Sequence, residues 1–299
     1  MRDRQLRGAK RVGEEAGQIA RELRNIHSRS GHNLARIWDD WISSMALAIS
    51  NALDKRPEAH ERREAEYMQI VERHGKQTMG SFKAMLFQLV EALTGEPDDV
   101  LGGVYMALEL GNDHRGQYFT PPDISELVSR LSTDPADMRA EVARHGFMTV
   151  NDPAIGGGAM MIPMVSAMQQ AGLNPSQHLH VTGIDIDASV LRMAYVQLSL
   201  LGVPAVLWVG DTLRMEMRED WYTPVHIVEG WGPRLRTRRM FERLRAMVES
   251  PDPGADDQDE REPADQPEAT EPGETLADPE PDSFEIEPPG QRSLFGDNW

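Results

Sequence analysis

From Phe147 to Val209 the chain alternates short apolar runs with helix-patterned stretches, and nothing else in it restricts the fold as much. Phe147-Met148-Thr149-Val150-Asn151-Asp152 reads as a short buried strand. Gly156-Gly157-Gly158 follows, then an apolar helix from Ala159 to about Gln170. His180-Val181-Thr182-Gly183-Ile184-Asp185 is a second strand, Ala188 to Leu201 a second helix, and Ala205-Val206-Leu207-Trp208-Val209 a third strand. Strands that alternate with helices are joined by right-handed crossovers into a mainly parallel sheet. The expected class is therefore α/β, with a doubly wound, Rossmann-like sheet. Val225 to Val228 offers a fourth strand and Pro233 to Ser250 a final helix. Folded sequence ends near Ser250, which leaves the sheet truncated.

Three loops at the carboxyl ends of these strands carry polar residues, and in doubly wound sheets that is where ligands bind. The first is Asp152-Pro153-Ala154-Ile155-Gly156-Gly157-Gly158. Its glycines let a ligand approach the backbone where a Cβ would block it, and the helix that follows presents free N–H donors. A plain structural turn would look the same. The second is Gly183-Ile184-Asp185-Ile186-Asp187. An acid at this point can accept both hydroxyls of a ribose. Asp185 takes that role, and Asp187, just before Ala188, is placed to cap the helix. The third is Gly210-Asp211-Thr212-Leu213. Asp211 there can meet an adenine amino group, or simply make a turn.

The flanks differ in texture. Residues 12 to about 56 read as helix, with Leu34, Ile37, Trp38, Trp41, Met45 and Ile49 at helical spacing. Pro57 marks a break, and a helical pair follows. Tyr67, Ile70 and Val71 form one stripe, and Phe82, Met85, Leu86, Leu89, Val90 and Leu93 a stronger one that Gly95 ends. Asp98-Asp99 caps a short helix from Val100 to about Leu110. The Trp and Met residues of this helical part read as core. The expected organisation is a helical N-terminal subdomain over 1–115, a ligand-binding α/β domain over 116–250 and an acidic, Pro-rich, disordered tail over 251–299.

The net charge is −18, but residues 251–299 hold 16 acids against 2 bases, so 1–250 carries only −4. Global acidity therefore does not exclude nucleic acid as a partner of the body. The helix from Arg234 carries Arg234, Arg236, Arg238 and Arg239, with Arg243 and Arg245 beyond. It can neutralise phosphates or present an ordinary solvated face. The chain has no cysteine, which excludes disulfides, thiolate metal sites and cysteine nucleophiles and fits a reducing cytoplasm. No apolar run reaches the ~18 residues a membrane helix needs, and the charged N-terminus does not read as a secretory leader.

Taken together the three loops resemble the N6-adenine DNA methyltransferases, especially the modification subunits of type I restriction systems. Asp99, Leu101, Gly102 and Tyr105 resemble the helix before that family's cofactor domain. Gly116-Gln117-Tyr118-Phe119-Thr120-Pro121 resembles its Phe-Thr-Pro motif. Asp152-Pro153-Ala154 with Gly156 and Gly158 resembles its first cofactor motif, Asp185 and Asp211 fall where it has the next two, and Leu191 to Leu201 resembles its second helix. The resemblance covers roughly residues 97 to 213. It implies S-adenosyl-L-methionine as cofactor, held by Phe119, Thr120, Pro121, Asp152, Pro153, Ala154, Gly156, Gly158, Asp185 and Asp211. It also implies DNA as partner, a specificity or second subunit, and a bacterial, nucleoid-associated location. Methyl transfer to adenine N6 is one implied function. The alternative is a catalytically inactive relative acting as an accessory, regulatory or anti-restriction protein.

One departure stands out. The family's catalytic motif is Asn or Asp, then Pro-Pro, then Tyr or Phe, after the fourth strand, and this sequence has no such tetrapeptide. Val225-His226-Ile227-Val228-Glu229-Gly230-Trp231-Gly232-Pro233 stands in its place. Glu229 and His226 could hydrogen-bond a base and Trp231 could stack on it; equally, His226 could be a strand residue and Trp231 a packing anchor. At the far end, Gln291-Arg292-Ser293-Leu294-Phe295 resembles the peptide by which bacterial replication proteins dock on the DNA sliding clamp. Gln291, Leu294 and Phe295 would carry that contact, or fold back onto the body.

Overall fold

In a computed structural model of the chain the described residues are 2–94, 97–110 and 134–249, with side chains described over 13–94, 97–110 and 134–245. The expected 115/116 domain boundary, Phe119, Thr120, Pro121 and the whole tail with Gln291, Leu294 and Phe295 lie outside them. Residues as far as Trp231 form one compact unit, and Gly232 begins a second.

The helical part opens with α1 (Arg2–Ser30) and α2 (Leu34–Leu53) rather than the single helix expected from 12 to 56. Gly31, at φ +71°, ends the first, and the Asn33 side chain caps the second by accepting from Ala35 N at 2.8 Å. A left-handed glycine followed by an Asn cap is a stop and a restart within three residues. Helix α3 (Pro57–Leu93) is divided by Gly75, whose φ of 66° and ψ of 173° are non-helical, so the expected pair is there as two segments of one kinked rod. Helix α4 is Val100–Ala107, with Asp99 as its cap. Ile19, Leu23, Ile26, Trp38, Trp41, Phe82, Met85 and Leu89 are buried in one core that continues into the sheet through Leu191, Tyr195, Val181 and Leu207.

Helix α5 (Pro135–His145) leads into β1 (Met148–Asp152); α6 (Met161–Gln170) and the single turn α7 (Pro175–His178) lead to β2 (Leu179–Asp185). Helix α8 (Ala188–Leu200) then crosses to β3 (Ala205–Asp211). The strand order is β1-β2-β3-β4, the first three parallel and the fourth antiparallel. The class is thus mixed α/β with a mainly parallel sheet. Its three parallel strands step in one direction away from β1, which is one winding of a doubly wound fold.

The fourth strand is β4, Glu216–Tyr222, not Val225–Val228. Val225–Val228 belongs to the short helix α9 (Pro224–Val228). Proline at the first helical position presets the helical φ there. Thr223 just before it locks the chain to β3, its Oγ1 accepting from Ala205 N and donating to Val203 O, both at 2.8 Å. The charges of β4 are met at the start of α3 and by the residue before it. Arg56 reaches Asp220 at 2.6 Å and Arg62 reaches Glu219 at 3.0 Å. Gly210 is required at the bulge that opens this hairpin, since a Cβ there would lie 2.6 Å from the Glu216 carbonyl oxygen.

In the second unit, α10 (Trp231–Glu249) forms as the Pro233–Ser250 reading expects, starting in the first unit with Trp231. It carries Arg234, Arg236, Arg238 and Arg239. Arg238 pairs with Glu242 one turn on, at 2.7 Å, and Met240, Phe241 and Leu244 are exposed.

Candidate functional site

The three loops read from the sequence meet at the carboxyl ends of β1, β2 and β3. The parallel register sets Asp152 beside Gly183 and Asp185 beside Val209. Asp152 shapes the first loop, its Oδ1 accepting from Ala154 N at 3.0 Å. Ile155 N then donates to Ile184 O at 2.9 Å, and Gly156 N to Asp185 Oδ2 at 2.9 Å. Asp185 Oδ1 accepts from Asp187 N at 2.9 Å. One carboxylate therefore clamps the glycine loop to the β2 end through its two oxygens. Asp187 caps α8 as expected, accepting from Ser189 N at 2.9 Å.

The glycines divide the work. Gly156 has φ +56°, and a Cβ on it would meet nothing within 4 Å, so the backbone turns left-handed beside open space. Gly158 has φ +84°, and its Cβ would lie 3.2 Å from Ala194 Cβ, so it lets α8 press against the loop. Gly183 is the tightest: a Cβ there would sit 2.4 Å from Ile155 Cδ1. Its neighbour Asp185 is half-buried, and that burial raises its pKa; the N–H donors from Asp187 and Gly156 oppose the rise, and the charges of Asp187 and Asp152 add to it. A carboxylate in that state gains from any further hydroxyl donor.

Asp211 is at the same rim, but its Oδ1 accepts from Leu213 N at 3.0 Å and Arg214 N at 3.1 Å, so it also makes the turn. Thr212 Oγ1 donates to Pro153 O at 2.7 Å and ties the third loop to the first. Arg218 of β4 donates to Ile186 O at 2.8 Å and ties down the second. Sequence reasoning missed both. It also missed Gln197 on α8, which is fully buried. Gln197 Nε2 donates to Gly157 O and to Asp99 Oδ1, each at 3.0 Å, while its Oε1 accepts from Leu101 N at 3.3 Å. It links the glycine loop to the start of α4. Burial raises the Asp99 pKa, with the donors Gln197 and Gly102 N opposing. Gly102 has no alternative, because a Cβ would lie 2.1 Å from the Asp99 carboxylate. The one signal for this network in the sequence was Asp99 and Gly102 sitting three residues apart.

The candidates for base contact lie elsewhere. Trp231 is fully buried, 5.0 Å edge-on to Phe147 and 5.4 Å from His180, and its indole N–H donates to Ser176 O at 3.2 Å. His226 is buried and shares a 3.0 Å hydrogen bond with His180. His180 is the second residue of β2, so this cluster sits at the amino-terminal edge of the sheet, the length of a strand from Asp185. Glu229 is exposed just past α9, which follows the same edge of β3. Trp231 thus sits as the packing anchor that the sequence offered as the alternative to a base contact, and His226 is buried as well, in α9 rather than in a strand.

Burial holds the His226 pKa down at about 4, below its ordinary 6.5. Between those values the unfolded chain binds the proton and the folded chain does not. Stability is thus undiminished above about pH 6.5 and falls as pH drops toward 4. Urea unfolding at pH 7.5 and pH 5 is expected to show a wild-type loss about 2 kcal/mol larger than that of His226→Asn. Parallel losses in the two proteins would refute it.

Residues 98–230 match the family model of the N-6 DNA methylases. That span takes in nearly all of the resemblance read from the sequence over roughly 97 to 213, including the glycine loop, Asp185 and Asp211, and the chain is methyltransferase-like. Among solved structures, a class I S-adenosylmethionine-dependent methyltransferase of Listeria monocytogenes is similar at 14% identity and a TM-score of 0.38, over 68% of this chain and 54% of its own. A type I restriction-modification methyltransferase subunit of Streptococcus thermophilus is similar at 16% and 0.28, over 66% and 57%. The DrdV–DNA complex is similar at 14% and 0.33, over 70% and 26%. The chain thus spans little more than half the length of the first two. No curated protein matches. Among the described residues no helix is long and apolar enough to cross a membrane.

Proposed function

We propose that this N-6 DNA methylase-like chain binds S-adenosyl-L-methionine at the ends of β1 and β2 and serves methylation of adenine N6 in DNA. One observation carries the reading: the Asp185 carboxylate grips a left-handed glycine that faces open space. The residues fit a nucleoside-bearing ligand. Asp185 would accept from ribose hydroxyls, the 154–158 backbone would take the close approach, and Asp211 would meet the adenine edge at the rim. The cofactor supplies an electrophilic sulfonium methyl, and this chain's residues bind and orient it, so catalysis here would come from proximity. The partners in this reading are DNA, reached through the arginines of α10, and a further subunit. Cytoplasmic action on nucleoid DNA follows from that substrate. Docking of Gln291, Leu294 and Phe295 on a sliding clamp would add local concentration.

The absence of Asn/Asp-Pro-Pro-Tyr/Phe from residues 1–299 favours a second reading, in which the chain keeps the cofactor pocket but lacks its own catalytic group. Calorimetry separates pocket from turnover. Wild type is expected to bind S-adenosylmethionine, and Asp185→Ala to lose about 1–3 kcal/mol of binding, as for a buried charged acceptor. A wild-type protein that shows no binding heat would refute the pocket. Mass spectrometry for N6-methyladenine in DNA from expressing cells then tests transfer.

A further inference from the structure

We infer that Gln197 is a positioning residue: its buried amide locks the glycine loop to the start of α4, so that the order of α4 sets the loop conformation on which ligand affinity depends. The inference rests on the cofactor reading proposed above and adds to it the residue that holds the loop ready.

The loop has little shape of its own. Glycine loses more conformational freedom on ordering than any other residue; three stand in a row here, and Gly156 and Gly158 are both left-handed, at φ +56° and +84°. The front of the loop is tied by Gly156 N to Asp185 Oδ2, and a turn bond runs from Gly158 N to Ile155 O, each at 2.9 Å. Behind it lies α8. Ala194 and Gln197 are three residues apart and share one face of that helix. Ala194 fills the space beside Gly158, where an added Cβ would lie 3.2 Å from it. Gln197 Nε2 donates to the Gly157 carbonyl at 3.0 Å. The peptide between these two glycines is thus held by one packing contact and one hydrogen bond from α8.

The same amide faces α4. Its Nε2 also donates to Asp99 Oδ1 at 3.0 Å, and its Oε1 accepts from Leu101 N at 3.3 Å. A primary amide meets these demands because it donates twice and accepts at the same time. A glutamate would set its oxygens against Gly157 O and Asp99 Oδ1. Gln197 is 0% exposed, so losing any one partner strands a polar atom away from water. A fully paired buried network of this kind is rigid, whereas a partly paired one is unfavourable. The two sides of the amide are therefore ordered together.

The α4 side is the firmer of the two. Asp99 Oδ1 also accepts from Gly102 N at 2.9 Å, and Val100, Leu101 and Val104 are fully buried. An added Cβ on Gly103 would lie 3.5 Å from Ala16 Cβ of α1, and Tyr105 meets Trp38 of α2 edge-on at 5.7 Å. Arg24 of α1 donates to Ala107 O. Helices α1 and α2 hold α4, and Gln197 passes that order to the loop. A loop ordered before its ligand arrives binds more tightly, because the entropy of ordering it is not charged to binding.

The test reads amide hydrogen exchange and S-adenosylmethionine calorimetry on the full chain, in wild type, Gln197→Leu, Asp99→Ala and Trp231→Ala. Asp99→Ala is decisive, because Asp99 hydrogen-bonds Gln197 and its own helix rather than the loop. In the ligand-free protein both Gln197→Leu and Asp99→Ala should speed exchange of the Gly156 and Gly158 amides at least about ten-fold, as local opening becomes easier. Both should also weaken S-adenosylmethionine at least about ten-fold. In wild type the ligand should slow exchange at the Leu101 and Gly102 amides, and Gln197→Leu should abolish that response. Trp231→Ala, a packing variant at the other end of the strands, should leave loop exchange and affinity as in wild type. Loop amides at the wild-type rate in Asp99→Ala would overturn the inference, whether or not Gln197→Leu folds. So would wild-type affinity in a folded Gln197→Leu, or the same losses in Trp231→Ala, which would mean plain destabilisation. Coupled exchange in a protein that binds no S-adenosylmethionine supports the lock and sinks the cofactor reading; binding with uncoupled exchange does the reverse.

Discussion

Replacing Trp231 by alanine is expected to cost about 3–5 kcal/mol of unfolding free energy, the usual penalty for emptying a buried tryptophan site. The indole is fully buried against Phe147 and His180, so the cavity left behind is lined on at least two sides by rings that cannot collapse into it. The Trp231→Phe variant should recover most of the loss, keeping the packing but not the 3.2 Å bond to Ser176 O, which accounts for about 1 kcal/mol. Below the melting transition, S-adenosylmethionine affinity of the alanine variant should stay close to wild type, because the glycine loop lies at the other end of the strands. A base-stacking tryptophan would behave in the opposite way, with normal urea midpoints and lost methylation. That outcome would restore Trp231 to the site.

Arg63→Met is expected to cost a similar ~3–5 kcal/mol, for an electrostatic reason. Arg63 and Asp54 are both fully buried and joined at 2.6 Å. Arg63 also donates to Asp220 O at 2.7 Å and lies over the Trp221 ring at 4.6 Å. Burial by itself would raise the Asp54 pKa; hydrogen bonds from Arg56 and Arg63 outweigh it and bring it down to about 2. Methionine fills much of the arginine's volume and leaves the carboxylate with Arg56 alone. Adding Asp54→Asn should therefore return part of the stability, since it removes the stranded charge. The wild-type advantage over Arg63→Met should hold above about pH 4 and shrink as pH falls toward 2, where Asp54 takes up its proton even in the fold. A loss under about 1 kcal/mol in the single variant, read from urea midpoints at pH 7, would mean that Arg56 satisfies Asp54 unaided.

The two variants probe regions that differed in how far the sequence could be read. The first three strands and their helices were legible to within a residue or two, because each apolar run is bounded by glycine or a capping acid. The cap assigned to Asp187 and the cap at Asp99 are both present, since capping depends only on residues two or three positions away. The break at Gly31 was missed although its two signals are local, a left-handed glycine and the Asn33 cap two residues on. Val225–Val228 failed as a strand because a short apolar run has no period of its own, and Pro224 decides in favour of a helix.

The sequence by itself determined the order of the first three strands and the helices between them, the caps at Asp99 and Asp187, the glycines of the first loop and the acids that end β2 and β3. All of these are set by neighbours in the chain: turn geometry, hydrophobic period and capping act over a few residues. Only the tertiary structure decided which acid grips which loop, that Gln197 bridges Asp99 to Gly157, and that β4 is a strand at all. Its Arg218, Glu219 and Asp220 find their partners Ile186 O, Arg62 and Arg56 in distant parts of the chain. It also decided that His226 and Trp231 sit at the far edge of the sheet from Asp185. Their position after the third strand says nothing of which edge they reach, because an antiparallel strand in between carries the chain back the length of the sheet. Contacts of that kind join residues far apart in sequence, and no local pattern encodes them.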